Sequence, residues 1–258
     1  QVAASKAEAA LNQDTEAAAA TASDKVETEP PVVASSSSGD GASGSAYTGS
    51  ARKIAGNLYQ VPVGPDDASW GPADAKVTIV EYADFQCPYC KKLFYTFKSI
   101  KERFEGKVRF VFKHFPMNKL CNKHVKNNRH PFACNASLAA ECARRMGKFW
   151  QMHDLLFKNQ HKLTTSDLRH YVTELGMDLT TYHACMRDPE PRRVLAGHMV
   201  EAALGLEIAA TPRTFVNGFL FPGAVSEELL IDRIEKELAD SGNAVKAAPK
   251  APPVVSTT

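Results

Sequence analysis

The chain has 258 residues, and its 31 Lys and Arg against 29 Asp and Glu leave a formal net charge of +2. A balance so near neutrality argues against a nucleic-acid footprint, and no apolar run approaches the ~18 residues that a membrane span requires. Six cysteines, all lying between residues 87 and 185, favour an oxidising compartment over the cytosol.

The first residue is Gln1, with no basic-then-apolar leader after it, so any signal peptide or membrane tether is expected outside this chain. Residues 1–53 combine alanine runs with a Ser/Gly stretch from Ser35 to Ser45 and almost no aromatics, the composition of a disordered linker. Ile54 to Val63 reads as a first, edge strand, where Pro62 is tolerated. Gly64-Pro65 and Gly71-Pro72 are turn signals on either side of Trp70. Val77 to Tyr82 is apolar and rich in β-branched residues, a buried strand that ends at Asp84. The next segment has helical period, with Leu93, Phe97, Ile100 and Phe104 on one face and Lys91, Lys98 and Lys101 away from it. Gly106 stops that helix, and Val108 to Phe115 is a strand ended by Pro116. Strand, helix and strand in this order imply a parallel pair with a right-handed crossover.

A helical block follows over about 133–205, with segments at Ala133–Met146, Lys148–Gln160, Asp167–Leu175 (capped by Ser166), Thr180–Met186 and Pro191–Leu204. Thr214 to Phe221 is a hairpin turned by Asn217-Gly218, which supplies the positive φ angles of a tight loop. Ser226 opens a closing helix with Leu230, Ile234 and Leu238 on its buried face. Residues 241–258, rich in Pro and Ala, read as a disordered tail.

The chemistry concentrates at Cys87-Pro88-Tyr89-Cys90, at the junction of the buried strand and the amphipathic helix. Pro88 suits the first helical turn, where a missing N–H costs nothing. Cys87 therefore meets the unpaired N–H groups and partial positive charge of a helix start, which stabilise a thiolate. Cys90, one turn on, is in reach to close a disulfide with it. Half of a zinc knuckle is the competing reading of C-x-x-C, but that needs a second ligand pair and does not explain the flanking strand and helix. A dithiol redox centre, with Cys87 attacking and Cys90 resolving, accounts for both.

With this motif in this setting, and with Thr211-Pro212 just before the hairpin, residues from about Asn57 to about Asp240 resemble the DsbA-like thiol–disulfide oxidoreductases. The resemblance implies an α/β thioredoxin fold, a central mixed sheet flanked by helices, over 54–240 with an inserted helical subdomain. It implies a cis bond at Thr211-Pro212 facing the cysteines, leaving backbone open to pair with an extended substrate beside Pro88 and Tyr89. Arg213 stands where relatives often have a small residue. Glu81 matches an acidic group that relatives place under the resolving cysteine; a solvent-facing strand residue is the alternative. Lys113 and His114 are further candidates to modulate Cys90. Cys142 and Cys185 match a structural disulfide inside the helical insertion.

The loop from Cys121 to Cys134 resembles that of thioredoxin-like domains associated with vitamin K epoxide reductase-type membrane oxidases. With His124 and His130 it spells C-x₂-H-x₅-H-x₃-C, which leaves open a disulfide, a zinc site or a second pair of redox thiols. The expectation adopted is a disulfide that stiffens a partner-docking loop, with no metal. Lys119, Lys123, Lys126 and Arg129 read as a solvated loop face. The resemblance as a whole implies disulfide exchange with cysteine pairs of exported protein substrates, no cofactor, and a membrane thiol oxidase or reductase as redox partner. The location implied is periplasmic or otherwise extracytoplasmic. A reductase or isomerase using the same residues and a tethered partner-binding module are the alternatives.

Overall fold

A computed structural model of the chain describes residues 50–246. The linker expected up to residue 53 lies outside the described residues as far as 49, and the expected tail does so from 247 onward. Within them, folded structure begins at Arg52 and the last helix runs to Lys246, a few residues beyond 54–240 at each end.

Among the described residues, seven strands form one sheet. They are β1 (Arg52–Ala55), β2 (Leu58–Gln60), β3 (Ala68–Trp70), β4 (Val77–Ala83), β5 (Val108–His114), β6 (Arg213–Val216) and β7 (Phe219–Pro222), in the order β1-β2-β7-β6-β4-β5-β3. β4 and β5 run parallel in register from Val77 beside Val108 to Ala83 beside His114; the other pairings are antiparallel. Both central strands are covered on two faces, which is why they read as continuous apolar runs. The single edge strand expected over Ile54–Val63 is instead a hairpin, β1 and β2 folding at Gly56, whose φ is +52°. Trp70, expected between turns, belongs to β3, which pairs with Phe110 of β5 at the opposite edge. At the β6–β7 turn Asn217 and Gly218 have φ of 47° and 83°. Gly218 also lies against strand β2, where a Cβ would stand 2.2 Å from the Tyr59 carbonyl oxygen.

Helix α1 (Pro88–Arg103) connects β4 to β5. Between β5 and β6 come α2 (Ala133–Arg145), α3 (Phe149–Lys158), α4 (Thr165–Glu174), α5 (Leu179–Arg187) and α6 (Pro189–Val200), which runs into a π-helical turn at Glu201–Gly205. Helix α7 (Glu227–Lys246) closes the chain described. Thr164, not Ser166, caps α4: its hydroxyl accepts from Asp167 N while the Asp167 carboxylate accepts from Thr164 N, a reciprocal capping box. A Cys142–Cys185 disulfide joins α2 to α5 across a sequence separation of 43, a closure worth ~4 kcal/mol in the chain-entropy model.

The helices cover the sheet in three patches. At the catalytic end, Met152, Leu156 and Phe157 of α3 pack on Phe85, Phe94 and Phe112. On the opposite face Leu195 and Met199 of α6 meet Tyr82, Val111 and Phe215. Further along, α1 and α7 close over Ile79, Phe110 and Val216 through Leu93, Ile100, Leu230 and Ile234. The inserted helices thus wall in the start of α1.

Candidate active site

Cys87 is itself the N-cap of α1, with extended backbone (φ −71°, ψ 121°), Pro88 follows in the first turn, and no acidic residue lies there. The turn before it is held from several sides. Cys87 N donates to Asp84 O at 3.0 Å. The buried Asp84 carboxylate accepts from Gln86 N and Met117 N, each at 2.6 Å, and lies 2.7 Å from His130 Nδ1. Gln160, just past α3, donates to the carbonyls of Phe85 and Cys87 at 2.7 and 2.9 Å. The helical insertion therefore fixes the backbone that presents the first cysteine.

Cys87 and Cys90 are both free thiols and both buried, while Tyr89 between them is 63% exposed. Their acidities are driven apart. The Cys87 thiolate is stabilised by Cys90 first, then by the Thr211 side chain and the N–H groups of Cys90 and Tyr89; against burial, these bring its pKa to about 6. Burial, and then the neighbouring Cys87, push Cys90 well above the ordinary thiol value. The Thr211–Pro212 peptide bond is cis, and Cys87 Sγ lies 3.5 Å from Thr211 O. The Thr211 hydroxyl, buried with no hydrogen-bond partner among the described residues, is a donor next to the sulfur.

Glu81 is on β4 and only 4% exposed, so the solvent-facing alternative fails. Burial raises its pKa to about 8, with Lys101 opposing and Cys87 reinforcing. Its Oε1 is buried without a hydrogen-bond partner and faces a cavity of about 70 Å³ lined by Phe94, Lys98, Lys101, Trp150, His153 and Asp154. Lys101, expected on the outer face of its helix, lines this cavity and lies 3.9 Å from the centroid of the Trp150 ring. Burial lowers its pKa to about 8, against Asp154 and Glu81. The spacing Cys90, Phe94, Phe97, Lys101 is i, i+4, i+7, i+11, a single helical stripe; that is the signal that places Lys101 inward. His153, also fully enclosed, is held neutral by burial, its pKa near 4.

Lys113 does not reach the cysteines. Beside Tyr82 in register, it points to the opposite face, where Nζ is 2.8 Å from Glu201 and 3.3 Å from Asp67. Tyr82 OH donates to Glu201, Asp67 accepts from His198 Nε2 at 2.8 Å, and Lys113 also donates to Pro62 O at 2.8 Å. His114 is buried against Glu141 at 3.7 Å. Alternating strand geometry explains the correction: Glu81 and Tyr82 are consecutive, so their cross-strand neighbours face opposite ways.

Cys121 and Cys134 are bonded to each other, which leaves neither as a thiolate for zinc, and of the two histidines His130 is bound to Asp84. Burial would lower the His130 pKa, but Asp84 outweighs it and raises it. The loop abuts the active site: Phe132 N donates to Gln86 Oε1 at 2.6 Å. Asp84 and His130 were invisible as a pair because they are 46 residues apart and no periodicity links them.

A thioredoxin family model matches residues 64–236, more than half of the chain. Among curated proteins the chain is 37% identical over 171 residues to the Na(+)/H(+) antiporter NhaA 3 of Salinispora tropica, covering 66% of this chain and 24% of the antiporter. It is 33% identical over 166 residues to the antiporter NhaA of Herminiimonas arsenicoxydans, covering 62% and 24%. The chain thus spans about a quarter of the length of the curated relatives it matches. Among solved structures, a thioredoxin-like oxidoreductase from Silicibacter pomeroyi superimposes with a TM-score of 0.59 at 25% identity, covering 72% of this chain and 95% of that one. The α-DsbA1 protein of Wolbachia pipientis gives 0.59 at 18% identity, covering 71% and 96%. A periplasmic thioredoxin-like protein of Salmonella enterica gives 0.57 at 22%, covering 68% and 92%. None of these is a vitamin K epoxide reductase-type protein, so that association rests on the loop resemblance alone. A sheet with helices inserted between β5 and β6, two thiols of opposed acidity at a helix start and a cis-proline beside them agree with these matches: the chain belongs to the thioredoxin family, and its fold is the one seen in the DsbA-like structures.

Proposed function

We propose that the chain is a thiol–disulfide oxidoreductase that exchanges disulfides with cysteine pairs of exported proteins through Cys87 and Cys90. The observation that carries this is the placement of two free thiols one turn apart at the start of α1, with Cys87 Sγ 3.5 Å from Thr211 O beside the cis-proline, an arrangement that lowers the Cys87 pKa to about 6 and pushes Cys90 well up. In the oxidising direction a substrate thiolate attacks Cys87 Sγ, the Cys87–Cys90 bond breaks, and Cys90 leaves as a thiolate that takes a proton from the Glu81 carboxylic acid. A second substrate thiolate then attacks the substrate sulfur of the mixed disulfide, and Cys87 leaves as the stable thiolate. Two electrons pass from the substrate dithiol to the protein disulfide, so no organic cofactor is needed. In reverse, Glu81 as carboxylate takes the proton of Cys90, a role for which a pKa near neutrality is suited.

Thr211 and Pro212, with Pro88 and Tyr89 across from them, form the surface on which a substrate strand would lie. The unit that performs the chemistry is 54–240, with 133–205 as its insertion. Two bonded cysteine pairs support an extracytoplasmic location, where a membrane thiol oxidase or reductase would reset the pair. No helix among the described residues is long and apolar enough to cross a membrane. The antiporter relatives favour a second reading, in which such a domain serves as a tethered module of a membrane protein; binding to a partner that survives Cys87→Ala with Cys90→Ala would select it. The primary test is alkylation rate against pH. A midpoint near 6 instead of the ~8.5 of a free thiol, lost in Cys87→Ser, is expected; a low-pH phase that persists in Cys87→Ser would sink the assignment.

A further inference from the structure

Beside the substrate surface lies a feature that the exchange chemistry does not use. Ala209 and Ala210 lead into Thr211, and across from them Met117, His124, Val125, Lys126 and Arg129 form a second wall, with an open cleft of about 280 Å³ between. Val125 is buried while His124, Lys126 and Arg129 are exposed, so the floor is apolar and the rim cationic. The ion pairs among the described residues include none on Lys126 or Arg129. Arg213 adds a guanidinium beyond the cis-proline, donating to Pro212 O at 3.2 Å. Glu207, exposed two residues before Ala209, is the opposing charge on that side and is outnumbered.

A merely solvated loop face would not need its backbone fixed, and this one is fixed at many points. The disulfide closes the loop at its ends. Asn118 Nδ2 donates to the carbonyls of His130 and Pro131 at 3.1 and 3.2 Å, and Asn122 Nδ2 to Pro116 O at 3.0 Å. Lys119 N is held by Asn128 Oδ1 at 3.0 Å, and Arg129 N by Met117 O at 3.2 Å. The cations are therefore presented from a preorganised frame, which lowers the entropy lost when they bind.

We propose that this cleft is a subsite for acidic side chains of the polypeptide whose cysteine reacts at Cys87, a reading that rests on the exchange activity proposed above. A strand lying along Thr211 toward Ala209 advances ~3.3 Å per residue, which brings carboxylates roughly two to four residues from the reacting cysteine against Lys126 and Arg129. A carboxylate there gains a charge-assisted, forked contact with the guanidinium, and its approach is steered by the rim.

The test uses the full chain with its Cys87–Cys90 pair reduced and two disulfide peptides, identical except for Glu or Lys at those flanking positions. The Glu peptide is expected to be reduced faster by ~10-fold at low salt, with the advantage collapsing near 1 M salt, where screening reaches ~3 Å. Lys126→Glu with Arg129→Glu is expected to invert the preference. Equal rates for the two peptides in the unaltered chain, or a preference indifferent to salt, overturn the subsite while leaving the exchange activity standing. Absence of exchange with either peptide, matching Cys87→Ala, removes the activity and the subsite with it.

Discussion

Strands β4 and β5 each bury an ionisable side chain in mid-sheet, Glu81 on one face and Lys113 on the other, and the surroundings of the two differ in kind. Around Lys113 the charges close on one another: Glu201 and Asp67 on the ammonium, His198 on Asp67, Tyr82 on Glu201. Around Glu81 they do not: Oε1 has no hydrogen-bond partner among the described residues, and Lys101, which lines the same cavity, acts on it only through its field. Their pH signatures are opposite. Burial would raise Asp67, but His198 and Lys113 outweigh it and hold it low; its contribution to stability is present above the unfolded value of 3.8 and is lost as pH falls through the folded one. Glu81 is raised from 4.5 to about 8, so its stabilising proton is fully held below 4.5 and the fold is progressively penalised as pH rises toward 8. The lesson is that a buried charge met on all sides secures the fold, while one left unmet beside a cavity and a pair of thiols is a proton reservoir held at the fold's expense.

The strongest way to break this contrast is to remove the cation from the closed cluster. Lys113→Met takes away the cation between Asp67 and Glu201 and leaves two neighbouring carboxylates with only hydrogen bonds from Gly64, His198 and Tyr82, and breaking a buried pair from one side costs about 3–5 kcal/mol. Denaturant unfolding should show that loss, while the alkylation midpoint of Cys87 stays where it was, because Lys113 lies across the sheet. A shifted midpoint would join the two faces electrostatically and remove the distinction. Glu81→Gln sharpens it from the other side. The variant should be more stable than the parent by ~3 kcal/mol at pH 7, an advantage that fades toward pH 4 as both forms become neutral. The step resolved by Cys90 should slow by at least ~100-fold, the usual contribution of a general base, with Cys87 acidity little changed. Destabilisation at pH 7 would mean that the carboxyl is paired after all.

Why one face could be read from the sequence and the other could not follows from the same geometry. The Cys87-Pro88-Tyr89-Cys90 turn, its strand and its helix are local, so propensity, period and the helix terminus point the same way. The Asn217-Gly218 hairpin is local too. Lys101 defies the rule that charge faces out: it continues the Cys90–Phe94–Phe97 stripe, and its amphipathic stem packs over Trp150. The Lys113 cluster brings together β5, the turn at Asp67 and the π-helical turn at Glu201, separations of 46 and 88 residues that no window spans. The β1–β2 hairpin was hidden for a different reason: Gly56-Asn57 is a weaker turn signal than Asn-Gly, and Pro62 suggested one continuous edge. Neither the Asp84–His130 pairing nor the cationic cleft exists until the loop closes on β4.

The smallest effect on stability, and the finest probe of the open face, is expected from Lys101→Met. Lys101 is held near 8 by burial, so below that pH the fold carries a penalty for keeping it charged, which Met relieves. Met also loses the attraction of the ammonium for the Trp150 ring, a contact of ~0.5–2 kcal/mol, so the loss partly offsets the relief and stability should change by less than with either substitution above. The proton chemistry should not be so forgiving. Lys101 is the group that opposes burial at Glu81; without it the carboxyl holds its proton to higher pH. The rate at which Cys90 resolves a mixed disulfide on Cys87 should therefore fall at pH 7 and recover at higher pH, its midpoint displaced upward from the parent's, while the Cys87 alkylation curve stays in place. Single-turnover release of a substrate thiol across a pH series measures this directly. A midpoint that does not move, or moves down, would mean that Lys101 exerts no field at Glu81 and that the proton reaches Cys90 from elsewhere.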